Sequence, residues 1–337
     1  TYDLMEESKI GTILTYGDPQ DNLDNHLVGV DLNLRASEWW QGQSVSWHSF
    51  YMSTNDEVKG SDDVVGSWFS FPNYPFRMGG HWVRTGDNFE PALGFVRRLG
   101  GQSSSIEFSY AFDRPDVDWL DDISVGAEYT RYDLLNGSLD SEEVELKLIE
   151  LRTLAGDSFG LEFEFEREVL TETFEIVDGL NLAAGDYRGV EFELEYQSST
   201  NRPVFGELEL GYGDYYSGKA FKVGSQLSWR PSKYAQLNFG GGLTSAELTV
   251  GDFDAWSSSL GVRITPNTRL SFNSFVQFDN QSESIGLNNR FRYIIKSGSD
   301  LFFVFNKGYH KGYDREFHRF RSFKTESIAK LGWTFQF

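Results

Sequence analysis

Glutamate recurs at every second position in three segments of this chain. Residues two apart in an extended strand project from the same face, so each segment would present a row of carboxylates. Such rows attract cations and repel anions from the water beside them. The residues are Glu162, Glu164 and Glu166, then Glu191, Glu193 and Glu195, then Glu207 and Glu209, with Glu145 in a similar stretch upstream.

The residues that alternate with these glutamates are apolar, for example Phe163, Leu194 and Leu208. Each strand would therefore have one charged face and one apolar face. A glutamate placed against lipid near the middle of a membrane costs up to about 2 kcal/mol. If the apolar face meets lipid, the carboxylates must line an aqueous interior.

Later segments place cations on the same alternating face. An interior with an acidic wall facing a basic wall would order water and favour polar solutes over apolar ones. A simpler interpretation is that any barrel interior is polar and its charges remain hydrated, without a role in transport. The predicted basic wall consists of Lys222, Arg230, Arg263, Arg290, Arg292 and Lys330.

Residue patterns typical of catalysis and metal binding are missing from the sequence. The five histidines are scattered without metal-ligand spacing, and cysteine is absent. No nucleophile elbow, Walker loop or dinucleotide fingerprint occurs. The net charge of −21 argues against nucleic acid as a partner. We therefore expect no enzymatic activity, no cofactor, no metal site and no nucleic-acid binding.

Alternation of polar and apolar residues extends along the whole chain, as in Val28, Val30, Leu32 and Leu34. About eighteen such segments occur, most of them roughly nine to twelve residues long, which suits tilted membrane strands better than the shorter strands of a β-sandwich. The mean hydropathy of −0.43 does not separate a membrane barrel from a soluble protein, because every second residue of a barrel strand faces water. The pattern predicts an all-β fold, a transmembrane antiparallel up-and-down β-barrel formed by residues 1–337 as a single domain.

Two kinds of connection separate the predicted strands. Short turns at one end often contain proline, and longer polar loops are predicted at the other end, as outer-membrane barrels show. An even number of strands would place both termini on the periplasmic side. The short turns include Phe71–Asn73, Arg114-Pro115, Arg202-Pro203, Arg230–Ser232, Thr265–Asn267 and Lys296–Ser299. The longer loops are Asp18–Asn25, Asn55–Asp63, Asp133–Glu142, Glu172–Asp186 and Lys307–Glu326.

The segment Ala329–Phe337 alternates strictly and resembles the closing strand of an outer-membrane β-barrel. That resemblance implies that Trp333, Phe335 and Phe337 form a signal read by the barrel-assembly machinery. The first strand, near Lys9–Tyr16, is the neighbour expected for this closing strand.

A second resemblance rests on Asn88–Arg98, which reads NFEPALGFVRR. It is similar to the hallmark segment of an uncharacterised family of bacterial outer-membrane β-barrels that commonly follow a carbohydrate-binding family 9-like module. Glu90, Ala92, Leu93 and Arg97 depart from the hallmark. Phe89, Pro91, Gly94, Phe95, Val96 and Arg98 match the hallmark. The candidate residues of the loop or plug are Phe89, Pro91, Gly94, Phe95, Arg97 and Arg98.

The resemblance implies a location in the outer membrane of a Gram-negative bacterium, but no defined substrate. Asn88–Arg98 would lie on the long-loop side. It could fold inward as a constriction with Arg97 or Arg98 in the pore. It could instead plug the barrel or brace its wall, which is the interpretation that we favour.

The leading functional hypothesis is a porin-like channel for small polar solutes. The alternative is a plugged barrel that anchors a periplasmic or cell-surface partner or an envelope complex. Outer-membrane lipids and the barrel-assembly machinery are expected partners in either case.

The acidic wall predicts a conductance that prefers cations and depends on pH and salt, because carboxylates titrate and salt screens their field. Reversal potentials of the protein in planar bilayers measure this preference. Anion preference, or an absence of conductance, would contradict the hypothesis.

Overall fold

The computed structural model describes residues 1–18, 24–112, 117–312 and 319–334. Most of them lie in β-strands, because alternating side chains on an extended backbone leave every amide free to pair with a neighbouring strand. A search of the described residues for membrane-spanning helices finds none. The strands are β1 Tyr2–Asp3, β2 Lys9–Tyr16, β3 Asn25–Trp40, β4 Gln43–Asp56, β5 Gly60–Pro72, β6 Phe76–Thr85, β7 Gly101–Phe112, β8 Leu120–Leu134, β9 Leu139–Thr153, β10 Ser158–Leu170, β11 Phe174–Val177, β12 Leu180–Leu182, β13 Gly185–Gln197, β14 Val204–Tyr215, β15 Gly218–Ser232, β16 Ala235–Leu248, β17 Gly251–Asn267, β18 Leu270–Asp279, β19 Ser284–Lys296, β20 Ser299–Gly312 and β21 Arg319–Gly332.

One antiparallel sheet contains nineteen of these strands, and β11 and β12 form a separate hairpin. Strand β1 has two residues and pairs with the start of β2. The other eighteen strands of the sheet have between 8 and 17 residues. The prediction of an all-β antiparallel fold with about eighteen strands is confirmed.

Two compact units divide the chain. The first comprises Thr1–Leu151, Glu162–Glu172 and Ala183–Val190, and the second comprises Arg152–Leu161, Thr173–Leu182 and Glu191–Phe337. Within the first unit, each strand from β2 to β8 pairs with the next along the chain. Within the second unit, the same up-and-down pairing extends from β14 to β21. The prediction of one domain stays a prediction.

The two faces of the sheet differ in chemistry. The outer face carries large apolar side chains that are exposed, including Leu14 at 78%, Val28 at 56% and Phe192 at 54%. Soluble proteins rarely expose so much contiguous apolar surface, whereas a lipid-facing barrel wall does. The inner face carries the residues between them, such as Asp31 and Glu191. We use the terms outer face and inner face in this sense throughout.

Several predicted long loops are shorter than expected. Strand β4 continues to Asp56 and β5 begins at Gly60, so the predicted loop Asn55–Asp63 is reduced to a turn. The predicted loop Glu172–Asp186 is a long connection between β10 and β13, as expected, and it contains the β11–β12 hairpin. The other loop bounds were wrong because polar residues continue a backbone ladder as readily as apolar ones. Asp133–Glu142 is likewise mostly strand. Strands β20 and β21 also occupy most of Lys307–Glu326, while residues 19–23 of the first loop and residues 313–318 lie outside the described residues.

The turn predicted at Arg202-Pro203 lies between β13 and β14. Both terminal nitrogens of the Arg202 guanidinium donate to the Asp157 carboxylate, each at 2.6 Å. The hydrogen bond from Arg202, together with the backbone N–H of Ser199, holds the pKa of Asp157 below its ordinary value. This pair joins the turn after β13 to the turn before β10. The turn predicted at Arg114-Pro115 falls outside the described residues.

The predicted first strand coincides with β2, Lys9–Tyr16. The last strand, β21, ends at Gly332, earlier than the predicted end at Phe337. Trp333 and Thr334 follow the strand, and Phe335 and Phe337 lie outside the described residues. The assembly signal and the pairing between first and last strands stay predictions.

A charged substitution should destabilise the protein more on the outer face than on the inner face. We expect Val30→Arg to lower the free energy of unfolding by about 2–4 kcal/mol, because it places a cation against lipid. The matched control is Asn33→Arg on the inner face of the same strand. This variant should change the free energy of unfolding by less than about 1 kcal/mol. Urea unfolding in lipid vesicles, followed by tryptophan fluorescence, measures both. Equal effects of the two variants would contradict the assignment of faces.

Candidate functional site: the motif loop and the acidic row

Asn88–Arg98, which we call the motif loop, lies in the connection between β6 and β7. The ring of Phe89 is 4% exposed and packs with Leu27 and Val64 in a buried apolar cluster. Register places Leu27 and Val64 on the inner face, since Leu27 pairs with Thr54 and Val64 pairs with Thr85. The motif loop therefore folds back onto the inner face of the first unit.

Buried polar side chains hold the backbone of the motif loop in place. The amide of Asn25 donates to the Glu90 carbonyl at 2.8 Å and to the Asp56 carboxylate at 3.1 Å. The Glu90 N–H donates to the Thr54 hydroxyl at 3.1 Å. Asn25 and Thr54 are each only 1% exposed. Buried polar groups are costly when unpaired, so these bonds favour one position of the loop.

Charged contacts add to this attachment at both ends of the motif loop. The Asn88 N–H donates to the Asp62 carboxylate at 2.8 Å. The Glu90 carboxylate accepts a hydrogen bond from Lys59 in the β4–β5 turn, which raises the pKa of Lys59 above its ordinary value. Arg98 donates to Asp140 at 2.5 Å. The guanidinium of Arg98 also stacks over the Tyr132 ring, 3.6 Å from its centroid.

Arg97, Phe95 and Pro91 line a cavity of about 740 Å³ between the motif loop and the strands. Phe95 is 89% exposed. The Gly94 N–H donates to the Pro91 carbonyl at 2.7 Å, which forms a tight bend in the motif loop. The predictions that the motif loop narrows a pore, plugs it or braces its wall stay predictions.

A row of stacked rings continues along the inner face of β4, β5 and β6. The Phe50 and Trp68 centroids lie 5.3 Å apart, and His48 and Trp68 lie 5.4 Å apart. His81 follows at 6.4 Å from Trp68. The inner face of these strands is therefore substantially aromatic and apolar, in contrast to the polar interior that alternation predicts. The signal was present in the sequence, since Trp68 lies an even number of residues from Asp62 on β5, and Phe50 lies an even number of residues from Thr54 on β4.

In the first unit, Glu145 and Glu162 share one cation. Lys147 lies 3.2 Å from Glu145 and 3.8 Å from Glu162. The sequence interpretation missed Lys147, although it follows Glu145 by two residues and so shares its face. Glu164 and Glu166 follow on the same face of β10.

The second unit brings five predicted glutamates together on β13 and β14. Glu195 lies directly opposite Glu209, and Glu193 lies opposite Gly211. Lys222 forms an ion pair with Glu191 at 2.5 Å. Lys222 therefore lies beside the acidic residues rather than on a separate wall. We call Glu191, Glu193, Glu195, Glu207 and Glu209 the acidic row.

Small residues beside the acidic row leave space for its side chains. A cavity of about 400 Å³ lies between Glu193 and Glu209 on one side and Thr244, Ser257 and Asp279 on the other. A Cβ at Gly224 would lie 2.7 Å from the Glu209 carboxylate, so a larger residue there would displace that group.

The remaining basic residues are distributed over several local contacts. Arg230 donates to the Thr200 carbonyl at 2.9 Å, and Arg263 donates to Asn273 at 3.3 Å. Arg292 forms an ion pair with Asp300 at 2.7 Å. Arg290 lies opposite Val304 and Lys330 opposite Phe302 in the strand registers. Within the described ranges, no three histidine, aspartate or glutamate side chains are grouped as metal ligands.

Loss of the buried anchors should release the motif loop. We expect the Asn25→Ala/Thr54→Val variant to be cut by trypsin after Arg97 or Arg98 roughly tenfold faster than the wild type, since each lost buried hydrogen bond costs about 1 kcal/mol. Asn33→Ala on the same strand is the control. Mass spectrometry of timed digests locates and quantifies the cuts. An unchanged rate in the double variant would show that these anchors do not hold the loop.

No protein-family model matches this sequence, and no curated protein matches it significantly. Similarity is found among solved structures. The ferric-catecholate import receptor Fiu of E. coli K12, in its open form, aligns with a TM-score of 0.57 at 8% identity, over 98% of this chain and 70% of that chain.

Two further receptors align at lower scores. The siderophore receptor PirA of Acinetobacter baumannii has a TM-score of 0.49 at 10% identity, over 98% of this chain and 74% of that chain. A mutant of the ferric enterobactin receptor PfeA of Pseudomonas aeruginosa has a TM-score of 0.47 at 10% identity, over 98% of this chain and 73% of that chain. The likeness to Fiu concerns the fold. This chain has the fold of an outer-membrane β-barrel. Proteins of this class lie in the outer membrane of Gram-negative bacteria.

Proposed function

We propose that this protein is an outer-membrane channel that admits small polar solutes and prefers cations. The observation that carries the proposal is the acidic row on the inner face of β13 and β14. Its carboxylates lie beside a cavity rather than against the apolar outer face. A transport role is also in keeping with the barrel fold, whereas passive passage rests on the acidic row alone.

The acidic row is costly to the fold. Glu195 and Glu209 face each other directly across two strands, an arrangement that destabilises a sheet through like-charge repulsion. Lys222 neutralises only Glu191 among the five glutamates of the acidic row. The acidic row therefore keeps a net negative charge. A role outside stability would account for this cost, and attraction of cations to the channel supplies one.

Neutralising two members of the acidic row should weaken ion selectivity. We expect Glu193→Gln/Glu209→Gln to lower the cation-to-anion permeability ratio by about two- to fivefold at 0.1 M salt, where screening is incomplete. Reversal potentials across planar bilayers measure the ratio. Glu247→Gln is the matched control, because register places Glu247 on the outer face near the end of β16. An unchanged ratio in the double variant would remove the acidic row from the selectivity mechanism.

The second candidate is a plugged barrel that anchors a periplasmic or surface partner. It is favoured by the attachment of the motif loop to the inner face through Asn25 and Thr54. A wild-type protein that inserts and folds but conducts no ions, together with a conducting Asn25→Ala/Thr54→Val variant, would support this candidate over an open channel. Outer-membrane lipids and the barrel-assembly machinery are partners in both proposals. Neither proposal includes catalysis.

A further inference from the structure

The cavity beneath the motif loop has the dimensions of a ligand site. Its volume of about 740 Å³ falls in the range of pockets that enclose small organic molecules. The strand residues that line it all project from the inner face of the first unit. Its apolar lining includes Phe50, Met52, Val64, Val83, Phe89 and Val96.

The motif loop presents large apolar side chains that are exposed among the described residues. Leu93 is 59% exposed and Phe95 is 89% exposed, and both line the cavity. These side chains lie on the inner side, away from the face that meets lipid. Exposure of large apolar groups to water is unfavourable, and a bound molecule with an apolar body would relieve it.

The charge of the cavity is opposite to that of the chain. None of the described residues that line it is acidic, while Arg97 and Arg98 both are cationic. Arg98 is engaged by Asp140 and by the Tyr132 ring. Arg97 forms no ion pair with any residue in the described part of the chain. A guanidinium with free donors binds a carboxylate through two parallel hydrogen bonds.

Hydroxyl groups complete the polar side of the cavity. Thr15, Thr85 and Thr130 line it from β2, β6 and β8, and Ser103 lines it from β7. Their small side chains leave the volume open, and their oxygens can accept or donate single hydrogen bonds. The lining thus combines an apolar enclosure with one available cation and a few neutral polar groups.

We infer that this cavity binds an amphipathic monoanion, a molecule with an apolar ring system or short acyl chain and one carboxylate. The apolar body packs on Phe50, Val64 and Phe89 beneath the motif loop. The carboxylate pairs with Arg97. The site is distinct from the acidic row in the second unit, and its existence does not depend on ion conduction.

The test uses 2-naphthoate as the probe, with the neutral 2-naphthamide as its isosteric comparison. Isothermal titration calorimetry is performed on the full chain held in amphipol. Three results are expected. The wild type binds the carboxylate more tightly than the amide. Arg97→Gln weakens naphthoate about tenfold and removes the preference for it, because a charged hydrogen-bond pair is lost. Ser103→Phe, which fills the cavity, abolishes binding of both probes.

Two variants serve as matched controls on the same face. Arg77→Gln makes the same charge change on β6 as Arg97→Gln makes in the loop, and Ser109→Phe adds the same ring on β7. Register pairs Arg77 with Ser109, away from the cavity. Heat-modifiable migration on gels confirms that each variant is folded. Both controls should bind naphthoate as the wild type does.

The inference is overturned if naphthoate and naphthamide bind the wild type equally, or if Ser103→Phe leaves binding unchanged, since binding would then be partition into amphipol. It is also overturned if Arg77→Gln weakens naphthoate as much as Arg97→Gln, because general charge rather than Arg97 would be responsible. Conductance is not measured in this experiment, so its failure leaves the channel proposal untouched.

Discussion

The need to pair every backbone amide and carbonyl governs this structure. Hydrocarbon offers no hydrogen bonds, so a strand that crosses it must satisfy its backbone in neighbouring strands. The ladder between β14 and β15 shows the result, with unbroken pairing from Val204 opposite Trp229 to Tyr215 opposite Gly218. Because the ladder is continuous, side chains alternate strictly between the two faces. The chemistry of each face is therefore a consequence of residue order along each strand.

The inner face carries two kinds of chemistry, each within its own unit. The first unit has an apolar and aromatic inner face around Phe50, Trp68 and Phe89, covered in part by the motif loop. The second unit has the acidic row and Lys222 beside small residues. Lipid cannot account for either surface, since both project from the side opposite the exposed apolar residues. Both are consequently the parts of the molecule where function is to be sought.

The motif loop depends on a few buried polar groups for its position. Asn25 begins β3 and Thr54 lies near the end of β4, and their side chains bind the Glu90 backbone. Phe89 supplies the apolar contact next to these bonds. A polar anchor and an apolar anchor together define one position for a segment that has no strand partner. This is why a loop without regular structure can form one wall of a cavity.

Alternation along the sequence was sufficient to determine the fold class, the approximate number of strands, the position of β2 and the faces on which Glu193 and Glu209 lie. Those properties follow from local periodicity, since residues two apart share a face whatever the neighbouring strand is. The ends of the strands were harder to predict from the sequence. Asn55 and Ser61, for example, extend the ladder between β4 and β5, and only the pairing of the two strands reveals this. Tertiary structure alone decided that Lys222 pairs with Glu191 from two strands away, that Lys147 lies between Glu145 and Glu162, and that the motif loop covers a cavity lined by Val64 and Val83. Contacts of that kind depend on the register between strands and on the path of a loop. Neither the register nor the path of a loop produces a periodic pattern in the sequence.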